Sequence, residues 1–201
     1  MAITNKERLK TIFELLQKPK TFRALLSLNH TGYLKDNGWF NSFERQIPID
    51  SNSEPIPWTT YPFIDFIKPR LNNELTVFEY GSGYSTLFFA RYTKAVTSVE
   101  HDENWYNELR RRTPVNVEIL LREKNLFVKS IEEKNKKYNL IFIDGENRVQ
   151  CLKESITHLE NNGVIILDDS EREEYVEGIT FLSANGFKQI DFWGISPGCL
   201  Y

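Results

Sequence analysis

The hydrophobic pattern changes character near residue 74. Before that point, apolar positions recur in short stretches at helical spacing. Leu9, Ile12, Phe13 and Leu16 share one face of a helix predicted over 5–18, and Pro19 ends it. A second short helix is predicted over 21–28. Residues 31–58 then read as loop, with Gly32, Asn37, Gly38 and Asn41 followed by the pairs Ile47-Pro48, Glu54-Pro55 and Ile56-Pro57. A loop this long inside a domain points to a binding role. A helix over 59–71 leads into the second part.

After residue 74, continuous apolar runs alternate with amphipathic stretches. Strands are predicted over 75–79, 95–100, 117–121, 138–143, 164–167 and 187–193. Helices are predicted between them over 84–92, 103–112, 126–134, 148–159 and 171–184. Asn162-Gly163 and Asn185-Gly186 close the last two. Runs such as Tyr138 to Ile143 are apolar throughout, so both faces of their sheet are covered and the strands are parallel. Right-handed crossovers make the sheet doubly wound. The fold class is therefore α/β, with helices on both faces of a mostly parallel sheet and a helical extension before it. Ligands of such sheets sit at the carboxyl ends of the strands, beside the point where the strand order reverses. Chemistry is sought there.

The segment 76–86 reads T-V-F-E-Y-G-S-G-Y-S-T, a strand, a turn with Gly81 and Gly83, and a helix. The dinucleotide fingerprint needs a third glycine three residues after the second, and Thr86 occupies that place. Glu79, two residues before Gly81, would repel a diphosphate and suits a ligand with an amino group. The pattern acid-x-Gly-x-Gly resembles motif I of the class I S-adenosylmethionine-dependent methyltransferases. That resemblance implies a Rossmann-like sheet in which Glu79 holds the methionine part, directly or through water. It implies that Gly81, Ser82, Gly83, Ser85 and Thr86 line the cofactor cavity.

Glu100 ends the second strand 21 positions after Glu79. A carboxylate there can accept from both hydroxyls of a ribose, and the same family uses that device. His101, counted with the cofactor set, and Asp102 are adjacent alternatives to it, and Trp105 either packs on the adenine or anchors its helix. The third strand ends without the acid that meets the adenine amino group in relatives. The runs IDGENRVQC at 143–151 and GVIILDDSER at 163–172, with Pro57-Trp58-Thr59-Thr60-Tyr61, resemble one branch of this superfamily. Asp144 and Asp168 are the candidate catalytic acids, and Asp144 also belongs to the cofactor set. Asp168 or Asp169 reads alternatively as polar lining, with Asp169 or Ser170 capping a helix from residue 171. Asp144, Asp168 and Asp169 as oxygen ligands of Mg²⁺ form the less favoured alternative. His101 and His30 are the two histidines open to a role as base.

Composition narrows the classes. At 201 residues the chain holds one core, with 40% hydrophobic and 26% charged residues. A net charge of −3 argues against a nucleic-acid partner. Two cysteines make no disulfide framework. No apolar leader or span is seen, so no membrane partner and a cytoplasmic setting are expected. The expected division is 1–73 for helices and an aromatic lid or substrate segment, and 74–201 for the S-adenosylmethionine domain. Trp39, Phe40, Trp58 and Tyr61 read either as a lid over the acceptor or as a hydrophobic plug under the N-terminal helices. The last antiparallel strand usual in such sheets has no room after Trp193. An uncovered edge then invites weak self-association. The function expected is methyl transfer to a small molecule or glycan, at oxygen. A non-catalytic nucleoside-binding module and a dinucleotide-dependent oxidoreductase are the alternatives.

Overall fold

The computed structural model describes residues 4–199. Its contacts group into two units. One runs to Glu54 and takes in Pro197–Cys199; the other is Pro55–Ser196.

The first unit begins with α1 (Asn5–Leu16) and α2 (Pro19–Ser27). A reciprocal cap starts α1: the Thr4 hydroxyl accepts from the Glu7 amide, and the Glu7 carboxylate accepts from the Thr4 amide. Residues 31–58, expected as loop, contain α3 (Tyr33–Asp36) and α4 (Trp39–Arg45). Both are too short to show a helical period. Gly38, at φ +80°, starts α4, and a Cβ there would stand 2.3 Å from the backbone of Asp50. Trp39 is buried, stacks on Phe43 at 5.0 Å and donates its indole N–H to the Cys199 carbonyl. Ser42 exchanges hydrogen bonds with both backbone groups of Ile49. Trp39 is thus a packing residue of this unit.

The second unit opens with α5 (Tyr61–Ile67), whose Tyr61 is fully buried while Trp58 before it is half exposed. Five parallel strands follow: β1 (Thr76–Tyr80), β2 (Ala95–Glu100), β3 (Val117–Leu121), β4 (Tyr138–Ile143) and β5 (Leu159–Leu167). Their order is β3-β2-β1-β4-β5. Helices α6 (Tyr84–Tyr92), α7 (Glu103–Leu109), α8 (Lys124–Phe127), α9 (Arg148–Ser155) and α10 (Val176–Ala184) complete it. The chain lays down β1, β2 and β3 in one direction, then returns to place β4 on the other side of β1. The order therefore reverses between β1 and β4, at a switch point. Period-2 alternation sorts β1: Phe78 and Tyr80 join Tyr138, Ile141, Ile143 and Leu152 in one core, while Glu79 faces α6.

Three expected boundaries move. Asn162-Gly163 does not close a helix but lies inside β5, which starts at Leu159 opposite Tyr138. The register slips between Tyr138 and Leu140, and a Cβ at 163 would stand 2.9 Å from the Asn139 carbonyl. The glycine serves close approach there, not a helix stop. The helix expected from residue 171 starts with a 3₁₀ turn, Glu173–Tyr175, and becomes α-helical at Val176. Asp169, at φ +54°, turns the chain before it and caps nothing. Residues 187–193 run beside α5, with Phe192 against Phe63 and Phe66, and form no strand. The sheet so ends at β5 among the described residues. No described helix is long and apolar enough to cross a membrane.

Candidate functional site

The site grows from the carboxyl end of β1. Gly81, at φ +102°, turns the chain out of the strand and donates its amide to the Val99 carbonyl. A Cβ on Gly81 would lie 3.3 Å from the Asp144 and Gly145 backbone. Gly145 closes the same contact from β4: its Cβ would stand 3.0 Å from the Gly81 nitrogen and 2.6 Å from the Phe127 ring. The ends of β1 and β4 thus meet backbone to backbone across the switch point. Gly83 differs, because among the described residues nothing beyond its own chain neighbours and helix backbone lies within 4 Å of a Cβ built on it, and its φ of 175° is ordinary extended backbone. Open space beside the turn is what a ligand lying against backbone requires.

Glu79 is sealed beneath this turn. Its carboxylate accepts hydrogen bonds from the hydroxyls of Ser85, Thr86 and Ser98. The Thr86 hydroxyl in turn accepts from the Gly83 amide at 2.8 Å. A buried acid therefore holds the glycine turn through one hydroxyl relay. This gives Thr86, which stands where the dinucleotide fingerprint has its third glycine, a part in holding the turn. Burial pushes the Glu79 carboxyl up to about 7, against three hydroxyls that favour its ionised form.

That shift has a sign. Between the ordinary carboxyl value of 4.5 and about 7, the folded chain binds more protons than the unfolded one. Stability from this group must fall as pH rises across that window, by about 3 kcal/mol in all at about 1.4 kcal/mol per unit. Glu79→Gln, which keeps an acceptor for the hydroxyls, is expected to flatten this part of the profile. Urea midpoints at pH 5 and pH 8 check it, and a variant as pH-sensitive as the parent would refute the assignment.

Glu100, at the end of β2, has little free capacity of its own. One oxygen accepts from the amides of His101 and Asp102 at 2.8 and 2.9 Å, the other from the Ser82 hydroxyl at 2.7 Å. Trp105 donates its indole N–H to the Ser82 carbonyl at 2.7 Å, so it anchors the glycine turn. Asp102 caps α7 through the amides of Asn104 and Trp105. His101 stands between two acids, 3.3 Å from Glu100 and 3.6 Å from Glu146, edge-on to Phe127. The structure thus brings Glu79, Ser82, Ser85, Thr86, Glu100 and His101 around Gly81 and Gly83.

The acids after β4 and β5 form a second group held by Arg148. The guanidinium donates to the carbonyls of Gly145 and Asp168 and to the carboxylates of Asp144, at 2.7 Å, and Asp169, at 3.3 Å. Asp169 also pairs with Arg172 at 2.6 Å. Burial pushes the Asp144 carboxyl up to about 6, with Arg148 opposing the rise. Burial and the neighbouring Asp144 and Asp169 push Asp168 up to about 7. Arg148 supplies among these acids the positive charge that a divalent ion would supply. Among the described residues no three acid, histidine or cysteine side chains are arranged to hold a metal. Arg148 and Cys151 lie three apart in α9. Cys151 is buried with its thiol against the Glu146 carbonyl, and burial pushes the thiol up to about 12. Beyond Arg148 opens a cleft of about 470 Å³, lined by Gly145, Glu146, Gln150, Glu174 and Tyr175.

No protein-family model matches the chain, and no curated protein matches it significantly. Solved structures do. A precorrin 8w decarboxylase from Methanobacterium thermoautotrophicum superposes with a TM-score of 0.54 at 17% identity, covering 72% of this chain and 80% of that one. A precorrin-6y C5,15-methyltransferase from Geobacter metallireducens gives 0.50 at 16% identity, covering 63% and 70%. These likenesses establish the fold, which is the class I methyltransferase fold.

Proposed function

We propose that this chain is an S-adenosylmethionine-dependent methyltransferase whose acceptor is a hydroxyl of a small molecule or glycan. One observation carries the reading. A glycine turn with open space beside Gly83 sits at the switch point between a buried acid, Glu79, and a strand-end acid, Glu100. The backbone of Gly81 and Gly83 would line the nucleoside and methionine parts. Glu79 would act on the turn from below through Thr86. The Glu100 carboxylate would take the ribose hydroxyls by exchanging its bond from Ser82 for theirs.

When bound, S-adenosylmethionine supplies an activated methyl on a good leaving group. The protein's part is alignment and water exclusion, which contribute about 7–11 kcal/mol at their upper range. Asp144 and Asp168 stand at adjacent strand ends, since the Asp168 amide donates to the Ile143 carbonyl. Carboxyls lifted to about 6 and about 7 are suited to take a proton from an acceptor hydroxyl near neutral pH. Glu146, Gln150 and Glu174 offer acceptors in the cleft beside them, which fits a polyhydroxylated molecule. Weak self-association through the β5 edge remains part of this reading.

Calorimetric titration with S-adenosylhomocysteine and with NAD tests it. Binding of the first and not the second is expected. Binding of NAD alone would favour the oxidoreductase reading. A screen of hydroxylated acceptors with detection of released S-adenosylhomocysteine then separates an enzyme from a silent binding module.

A further inference from the structure

Within the first unit an apolar face is left uncovered. Neither α1 nor α2 buries a residue. Leu9, Ile12, Phe13 and Leu16 line one face of α1 and are 69%, 54%, 65% and 61% exposed. Leu25 and Leu26 on α2 are about half exposed. Helices of globular proteins turn such a stripe inward, and single exposed leucines are ordinary, but two neighbouring helices of this kind are not.

Charge identifies what covers it. Between residues 4 and 28 stand Lys6, Arg8, Lys10, Lys18, Lys20 and Arg23 against Glu7 and Glu14, a local charge of +4. The whole chain carries −3, so its remaining residues carry −7. The positive charge is concentrated where the apolar face is. We propose that α1 and α2 form an interfacial anchor that lays this face on an anionic lipid surface. The apolar side chains enter the boundary between headgroups and acyl chains, and the cations meet the phosphates. A second copy of the hairpin would bring +4 against +4 around the same seam. At 12 residues, about 18 Å, α1 lies on a bilayer and does not span it. The inference goes beyond methyl transfer and does not rest on it.

The test is co-sedimentation of the full chain with vesicles, without cofactor. Vesicles of phosphatidylglycerol with phosphatidylcholine are compared with phosphatidylcholine alone, at low and high salt. Binding to the anionic vesicles is expected, at least about tenfold stronger than to the neutral ones and weakened by salt. Phe13→Glu is expected to abolish it. Lys6→Ser with Lys20→Ser should weaken it at least about tenfold, since each cation near such a surface counts about fivefold. All three positions are exposed, so thermal melting should match the parent. Equal binding to both vesicle types, or none to either, overturns the proposal. A dimer that Phe13→Glu dissolves, with no vesicle binding, would assign the face to a second copy.

Discussion

Leucine at position 83 is expected to weaken S-adenosylhomocysteine binding by at least about 100-fold, some 2.7 kcal/mol, while moving the thermal midpoint by only a few degrees. The separation follows from geometry. Among the described residues a Cβ at Gly83 meets nothing within 4 Å outside its own chain neighbours and helix backbone, and its φ of 175° suits any residue. The new side chain costs the fold little and fills only the space beside the turn. The other two glycines of the site behave oppositely. Alanine at Gly145 would press on the buried Phe127 ring and on the backbone of Tyr80 and Gly81, an overpacking worth about 2 kcal/mol. At Gly81 the φ of +102° already strains any side chain. Calorimetry beside thermal melting on the Gly83 variant decides the matter. A folded Gly83→Leu chain that binds the nucleoside as tightly as its parent would remove the cofactor from this turn.

Local periodicity accounts for much of what was readable. The four strands β1 to β4 are short apolar runs bounded by turn residues, so their existence and parallel pairing follow from period and composition. Gly81 and Gly83 stand between a strand and a helix, and the acid spacing from Glu79 to Glu100 marks two neighbouring strand ends. What lay hidden depends on contacts distant in sequence. Asn162-Gly163 has the composition of a helix stop, yet Gly163 lies in β5 because the Asn139 carbonyl and Leu159 leave no room for a side chain. The 187–193 run has strand composition, but Phe192 packs on α5 and leaves the ladder unformed. Thr86 and Trp105 hold the glycine turn through single hydrogen bonds that no pattern announces.

Arg148 stands out in the sequence while its bonds do not, and Arg148→Leu is expected to cost about 3 kcal/mol at pH 8. Its guanidinium bonds the ends of both β4 and β5, reaching the carbonyls of Gly145 and Asp168 and the carboxylates of Asp144 and Asp169. Removing one partner of a buried charge group costs about 3–5 kcal/mol. The lower end applies because Asp144 and Asp169 keep roughly a third of their side-chain surface in water. The cost must depend on pH. Arg148 holds the Asp144 carboxyl down against burial, so without it that carboxyl rises beyond about 6. The folded variant then binds protons that the unfolded chain has already released, and its stability falls more steeply than the parent's as pH climbs from about 4 towards 8. At pH 5 Asp144 and Asp168 are protonated in the fold, their repulsion is gone, and only the lost hydrogen bonds remain. Lysine at 148 keeps a charge but not the fork of donors, so it should recover part of the loss and only at high pH. Urea unfolding of the three proteins at pH 5 and pH 8 reads this out. An equal loss at both pH values would mean that Arg148 serves by packing on Tyr175, over whose ring it lies at 5.3 Å, and not by balancing the acids.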